Sequence, residues 1–188
     1  MQKSILAVTL SLGFLSNALL SPPRPPQETP LKEIKGYRQW HKTNKTPFPV
    51  LNPVAMLCRE ATPQEEQAQR DANPHVDTYI TVYVNDKGKS AMLGNRRKRF
   101  PVGSLVIKEK WEAPDGRELS TPSHLKLKLM TVMLKREAGY NPKRGDWEYL
   151  VVNAKGSLLE RGKIKKCQTC HQEQQASDYL FRSYFTNQ

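Results

Sequence analysis

The stretch KKCQTCHQE, residues 165–173, sets the thiols of Cys167 and Cys170 three positions apart with the imidazole of His171 directly after the second, and 17 residues follow that histidine. Three chemistries use a Cys-x-x-Cys pair: a redox disulfide, half of a zinc site or, with histidine next in line, covalent attachment of haem. A redox pair belongs at a helix N-terminus after a strand in a thioredoxin-like unit, and no βαβ pattern precedes Cys167. Zinc needs two further ligands, and the supply is Cys58, His41, His75 and His124, none in a second paired spacing.

The compartment weighs between these chemistries. The chain opens MQKSILAVTLSLGFLSNALLSPP, with one lysine, an apolar run from Ile5 to Leu20 broken by small and polar residues, and then prolines. This pattern predicts a signal peptide over residues 1–21, cleaved near Ala18 to Ser21, and an exported, periplasmic destination. The run is short and rich in Ser, Thr and Gly for a membrane span, an uncleaved anchor being the alternative. Haem c is joined to its thiols outside the cytoplasm, so export favours the haem reading over the other two.

Residues 22–30, PPRPPQETP, form a proline-rich extended linker, since proline fixes φ and removes a backbone donor. Residues 31–188 then suit one domain. A charged fraction of 26% beside an apolar fraction of 37% is globular and not disordered. The net charge is +12, and loss of the leader removes one positive charge, Lys3, to leave +11. A basic surface of this kind keeps the protein soluble or docks an acidic redox partner, and Arg161, Lys163, Lys165 and Lys166 lead straight into Cys167. Nucleic acid is not an expected partner, because no recognition helix or aromatic stacking motif is present. Cys58, in the apolar setting PVAMLCRE, reads as a buried inert thiol.

The elements that must carry the cluster are mostly strands. In DTYITVYVND (77–86) Ile80, Val82 and Val84 alternate with Tyr79, Thr81 and Tyr83, as a half-buried strand does. In SLVIKEKWE (104–112) Leu105 and Ile107 face one way, Val106 and Lys108 the other. LKLKLMTVMLKRE (125–137) opens with strict Leu/Lys alternation, and GDWEYLVVN (145–153) and SLLERGKI (157–164) flank a turn at Ala154-Lys155-Gly156 that predicts a hairpin. A short helix is expected in LKEIKGYRQWHK, irregular chain in TPFPVLNPVAML, and a closing helix in EQQASDYLFRSYF with Tyr179 and Phe181, or Leu180 and Tyr184, on its packed face. The fold class predicted is α+β, mainly β: an antiparallel sheet with a few short helices and a C-terminal c-type haem attachment motif.

Six stretches, GYRQW, TVYVND, FPVGSLVIKEKWE, TVMLKREAGYNPKRGDWEYLVV, CQTCH and SDYLFRSYF, in this order over residues 31–188, make the chain resemble the cytochrome P-460 family, which includes cytochrome c′-beta. The resemblance implies a mainly antiparallel β domain, usually homodimeric, with one covalent haem c per chain. It also implies that Cys167 and Cys170 are the thioether attachment points and His171 the axial iron ligand. Lys108 matches the lysine that cytochrome P-460 proteins bond through its amine to the porphyrin, and a desolvated lysine, its pKa lowered, is chemically fitted to act as that nucleophile. A solvated lysine is the alternative, and Lys110 on the same face is what a wet face would show. Phe100 sits where the family often has an aromatic near the distal pocket, or else it is ordinary core. Tyr83, Trp111, Trp147 and Tyr149 read as core or sheet-face aromatics.

The implied function is oxidation of hydroxylamine or nitric oxide at a five-coordinate haem iron. Two alternatives stand beside it. One is a non-catalytic carrier of nitric oxide or carbon monoxide in the manner of cytochrome c′-beta. The other is an electron-transfer cytochrome whose iron is closed by Met56, Met92, Met130 or Met133. A proton acceptor is not legible, since Glu109, Glu148 and Glu160 are expected at the surface.

Overall fold

The computed structural model describes residues 31–56, 59–73, 75–95, 97–113 and 124–182. The expected leader and linker, Cys58, Tyr184 and the side chain of Met56 lie outside the described residues. Seven strands make one antiparallel sheet: β1 (His41–Lys42), β2 (Phe48–Val50), β3 (Thr78–Val84), β4 (Leu105–Glu112), β5 (Lys126–Lys135), β6 (Trp147–Asn153) and β7 (Leu158–Gly162). β3 to β7 lie side by side in chain order, and β1 and β2 both pair with the outer edge of β3. The expected antiparallel architecture is therefore present, with all five expected strands. Of the two short edge strands, β2 falls in chain that prolines made look irregular, and β1 falls at the end of the segment expected to be a short helix.

Register explains the two faces of this sheet. One cross-strand row runs Val82, Lys108, Thr131, Val151, Glu160, and the row beside it runs Val84, Val106, Met133, Tyr149, Gly162. Because side chains alternate across a strand, both rows project to the same face. A first core forms there from Ile80, Val82, Val84, Val106, Met133, Trp147 and Tyr149. The residues between them, Tyr83, Ile107, Val132 and Leu150, build a second core on the opposite face with Ile34. Both faces are covered, so the strand expected to be half-buried, β3, is buried at every position except Tyr79.

The second face also holds a carboxylate expected at the surface. Glu109 is fully buried, accepting from the Tyr37 hydroxyl at 2.5 Å and from Arg38 Nε at 3.2 Å. Glu148, likewise expected outside, is 7% exposed and bound by Arg161 and Arg136. Each is tolerated because an ion pair and hydrogen bonds offset the loss of water.

Helices depart most from expectation. The short helix expected near residue 31 is two 3-10 turns, Lys32–Ile34 and Tyr37–Gln39, split at Gly36, whose φ of 73° ends one turn before the next begins. The polar helix α1 (Pro63–Ala72) opens on a capping box in which Thr62 and Glu65 satisfy each other's backbone N–H groups. Helix α2 (Asp86–Leu93) is capped by the Asn85 side chain and buries Gly88, Ala91 and Met92. Helix α3 (Lys165–Gln172) follows β7 and carries the cysteine pair. No closing helix follows it over the described residues: a 3-10 turn at Gln175–Ser177 runs into Asp178 and Tyr179, both in the left-handed region at φ 55° and 65°. That backbone cannot continue a right-handed helix, and it lays residues 178–182 across the first core as a strap.

Candidate haem site

On α3, Cys167 and Cys170 are three apart and His171 is four from Cys167, spacings that bring all three to one side of a helix. That side borders a cavity of about 870 Å³, within the range of roughly 300–1,000 Å³ typical of ligand and cofactor pockets. The floor of the cavity is the sheet face described above, contributing Val82, Val106, Lys108, Thr131, Met133, Tyr149 and Val151. Its lining is mostly apolar, and Asp71, Glu160 and Glu173 stand exposed at its rim.

His171 is oriented by the strap. Its Nδ1 lies 2.6 Å from the carbonyl oxygen of Tyr179, so the proton of a neutral ring sits on Nδ1 and the Nε2 lone pair is left for a metal. Phe181 packs edge-on at 5.2 Å between ring centroids, and Tyr149 is tilted against the imidazole at 5.5 Å. Burial, and then the charge of Lys108, push the His171 pKa down to about 4, which keeps the ring in its metal-binding form.

Both thiols are free and half-buried, and burial raises the pKa of each, most of all by desolvation. A redox or zinc thiolate needs the opposite shift. Nor do three of His, Cys, Asp and Glu gather to hold a metal ion among the described residues. Two neutral thiols, an imidazole with a free Nε2 and a large apolar cavity are a donor set that fits haem.

The structure brings Lys108 to this cavity. Its Nζ lies 5.9 Å from the Phe181 ring centroid, and burial lowers its pKa to about 8, partly opposed by Cys170 and Cys167. Lys110 also lines the cavity, and it is only 6% exposed, with a pKa lowered to about 8 by burial and then by Lys108, Lys128 and Lys166. The face around Lys108 is therefore enclosed and not the wet surface that Lys110 suggested in the sequence. Phe100 lies elsewhere: it is 3% exposed in the first core, edge-on to Trp147 at 5.5 Å, and does not line the cavity.

Two cavity residues are new. Tyr149, expected only as a sheet aromatic, touches His171, and its buried hydroxyl has no hydrogen-bond partner among the described residues. His75, weighed above only as a zinc ligand, also lines the cavity with its Nδ1 enclosed and unpartnered among the described residues. Strand alternation from Trp147 could have placed Tyr149 on the site face; nothing local could have placed His75.

Comparison with known proteins adds the family. The family model described as Cytochrome P460 matches residues 34–182, which take in the sheet, the cavity and the cysteine pair. A search of curated proteins finds no match. With a haem-compatible donor set enclosed by the matched region, the chain belongs to the cytochrome P460 family, and is a haem cytochrome.

Proposed function

We propose that the chain is an exported cytochrome carrying one haem c, and that it oxidises hydroxylamine or nitric oxide at an iron with one open axial position. The observation that carries this reading is the His171 geometry: one ring nitrogen held by the Tyr179 carbonyl and the other free, beside two neutral thiols on the wall of an apolar cavity. Cys167 and Cys170 would hold the haem covalently, each thiol adding across a vinyl double bond with its hydrogen passing to the neighbouring carbon and nothing expelled. Bound haem would supply a redox-active iron.

The protein's own residues do the rest. His171 would hold the iron through Nε2. The apolar floor, with Val82, Val106 and Val151, keeps water away and admits a small molecule. Conversion of hydroxylamine to nitric oxide releases three electrons and three protons, and the electrons must pass to an acceptor protein. Arg161, Lys163, Lys165 and Lys166 are exposed at and just before the start of α3 and suit an acidic one. Asp71, Glu160 and Glu173 place carboxylates at the cavity mouth.

Lys108 bears on which chemistry runs. Its lowered pKa makes a neutral, nucleophilic amine accessible near pH 8. Joining that amine to a bound porphyrin would replace a ring C–H bond with C–N, a two-electron oxidation that would release two protons and need an oxidant of the peroxide class. A second reading, electron transfer alone, has its own observation, since Met92 and Met133 line the cavity and either thioether could close the iron.

The test is the optical spectrum of the holoprotein, oxidised and reduced, beside Lys108→Ala. A red-shifted reduced Soret band that vanishes in the variant supports the cross-link and hydroxylamine oxidation. An ordinary high-spin spectrum, the same in both proteins, leaves a gas-binding cytochrome. A low-spin spectrum of a six-coordinate iron supports electron transfer.

A further inference from the structure

His75 lies far from α3 in sequence yet lines the cavity that His171 borders. We propose that the His75 side chain donates a hydrogen bond to the small molecule bound at the haem iron, and so sets which ligands the cavity retains. The proposal rests on the haem reading above.

The turn that carries His75 is built to hold it still. The His75 N–H donates to Asn73 Oδ1 at 3.0 Å, and its carbonyl accepts from the Thr78 hydroxyl at 2.5 Å. On its C-terminal side Val76 is 5% exposed, and the Asp77 N–H donates to the Val50 carbonyl at 2.8 Å. Backbone contacts on both sides thus fix the approach of the imidazole before any ligand arrives, which is what a positioned polar group in an apolar site requires.

One ring nitrogen, Nδ1, lacks a partner among the described residues. It is enclosed without a hydrogen bond among those residues, an unfavourable state for a buried polar atom. Such an atom calls for a partner from outside the chain. Among the described residues Tyr149 has the other buried unpartnered atom in the lining, but that ring packs against His171 itself and belongs to the ligand-bearing wall.

Charge decides what the ring can do. Burial and then Lys108, Lys110 and His171 hold the His75 pKa down at about 2, so the imidazole stays neutral with one N–H and one lone pair. A base so weak would not carry protons near neutral pH. A neutral N–H donor is what remains, and in an apolar cavity it distinguishes a polar diatomic molecule from an inert one.

The experiment uses the ferrous holoprotein with carbon monoxide as probe and reads the C–O stretching frequency by infrared spectroscopy. His75→Leu should raise the frequency, because loss of the donor weakens back-donation into the ligand, and His75→Gln, which still donates, should fall between. The dissociation constant for nitric oxide should rise roughly 2- to 10-fold in the leucine variant, the span of one neutral hydrogen bond. The wild-type band should also move in D2O, a measurement that needs no variant. An unshifted leucine variant, or a wild-type band indifferent to D2O, overturns the proposal. So does a six-coordinate low-spin ferric wild type that becomes high-spin in His75→Leu, because His75 would then be an iron ligand. A wild-type chain that carries no covalent haem overturns both this proposal and the haem reading, and so is told apart from failure of this proposal alone.

Discussion

His75 and His171 are both largely enclosed imidazoles beside lysines, and both are held neutral, but the same physics leaves them with different consequences for stability. The folded-state pKa of His75 lies near 2, against 6.5 for an unperturbed histidine. Below pH 6.5 the unfolded chain takes up a proton at this site that the folded chain refuses, so folding stability falls as the pH drops through 6.5 and continues to fall toward 2. The slope from one such group approaches about 1.4 kcal/mol per pH unit at its limit. His75→Gln, which cannot titrate, should show a shallower loss of stability between pH 6.5 and 4 in urea unfolding; parallel curves would show that the site is hydrated enough to protonate. His171 titrates in the same direction, but a metal on Nε2 removes it from this balance. The two histidines also differ in how legible they were. His171 announced itself through Cys167 and Cys170 because all three are neighbours on one helix. His75 gave no signal because its meaning comes from Lys108, Lys110 and His171, which tertiary folding alone brings to it.

At the scale of elements, the strap of residues 178–182 holds the site together and was the part read least well. A helix was expected there from apolar spacing. The left-handed backbone of Asp178 and Tyr179 turns that spacing to another use: Tyr179 gives its carbonyl to His171, and Arg182 donates to the carbonyls of Ala91, Asn95 and Lys98. Asp178 pins the strap, since its fully buried carboxylate accepts from Lys135 Nζ at 2.9 Å and from the Phe100 N–H at 2.8 Å. Asp178→Ala removes the counter-charge from a mostly buried lysine and should cost about 3–5 kcal/mol. Asp178→Asn keeps a side chain that tolerates left-handed backbone and an oxygen that can still accept from the Phe100 N–H, so the difference between the two variants in urea unfolding measures those two contributions apart from the lost charge. A second test lies at Gly145, where φ is 67° and an added Cβ would come within 2.5 Å of the Tyr179 ring. Gly145→Ala should cost roughly 2 kcal/mol or more from left-handed strain and overlap together. It should also perturb the iron spectrum, because the residue displaced is the one that orients His171. A destabilised variant with an unchanged spectrum would mean that the Tyr179 backbone stays in place while its ring moves. The helices α1 and α2 escaped notice for a simpler reason. α1 buries no residue, so it has no apolar periodicity to read, although its Thr62–Glu65 capping box was present in the sequence.

The whole molecule is a sheet whose two faces do different work, one packed against the N-terminal turns and the other floored with the residues of the cavity. Alternation in β3 to β6 made this arrangement readable, because a strand that places Lys108 on one face must place Glu109 on the other. What alternation could not reveal was which face held the cavity, since both are apolar enough to be core. Charge is distributed over this frame in a way that a kinetic measurement can resolve. The net charge of +12 would speed any anionic redox partner, yet the exposed Lys165 and Lys166 open the helix that carries Cys167, whereas the exposed Lys42 lies on β1 at the far edge of the sheet. Oxidation of the reduced holoprotein by an anionic complex such as ferricyanide should slow as ionic strength rises toward 0.15 M, where screening acts over about 8 Å. Reversing both charges in Lys165→Glu with Lys166→Glu should flatten that salt dependence far more than Lys42→Glu does, even after allowing for two charges against one. Equal flattening per charge would assign the steering to net charge and leave no reason to place a partner at α3. A large asymmetry would put the electron exit at the helix that opens beside the cysteine pair, where the path from haem to surface is expected to be short.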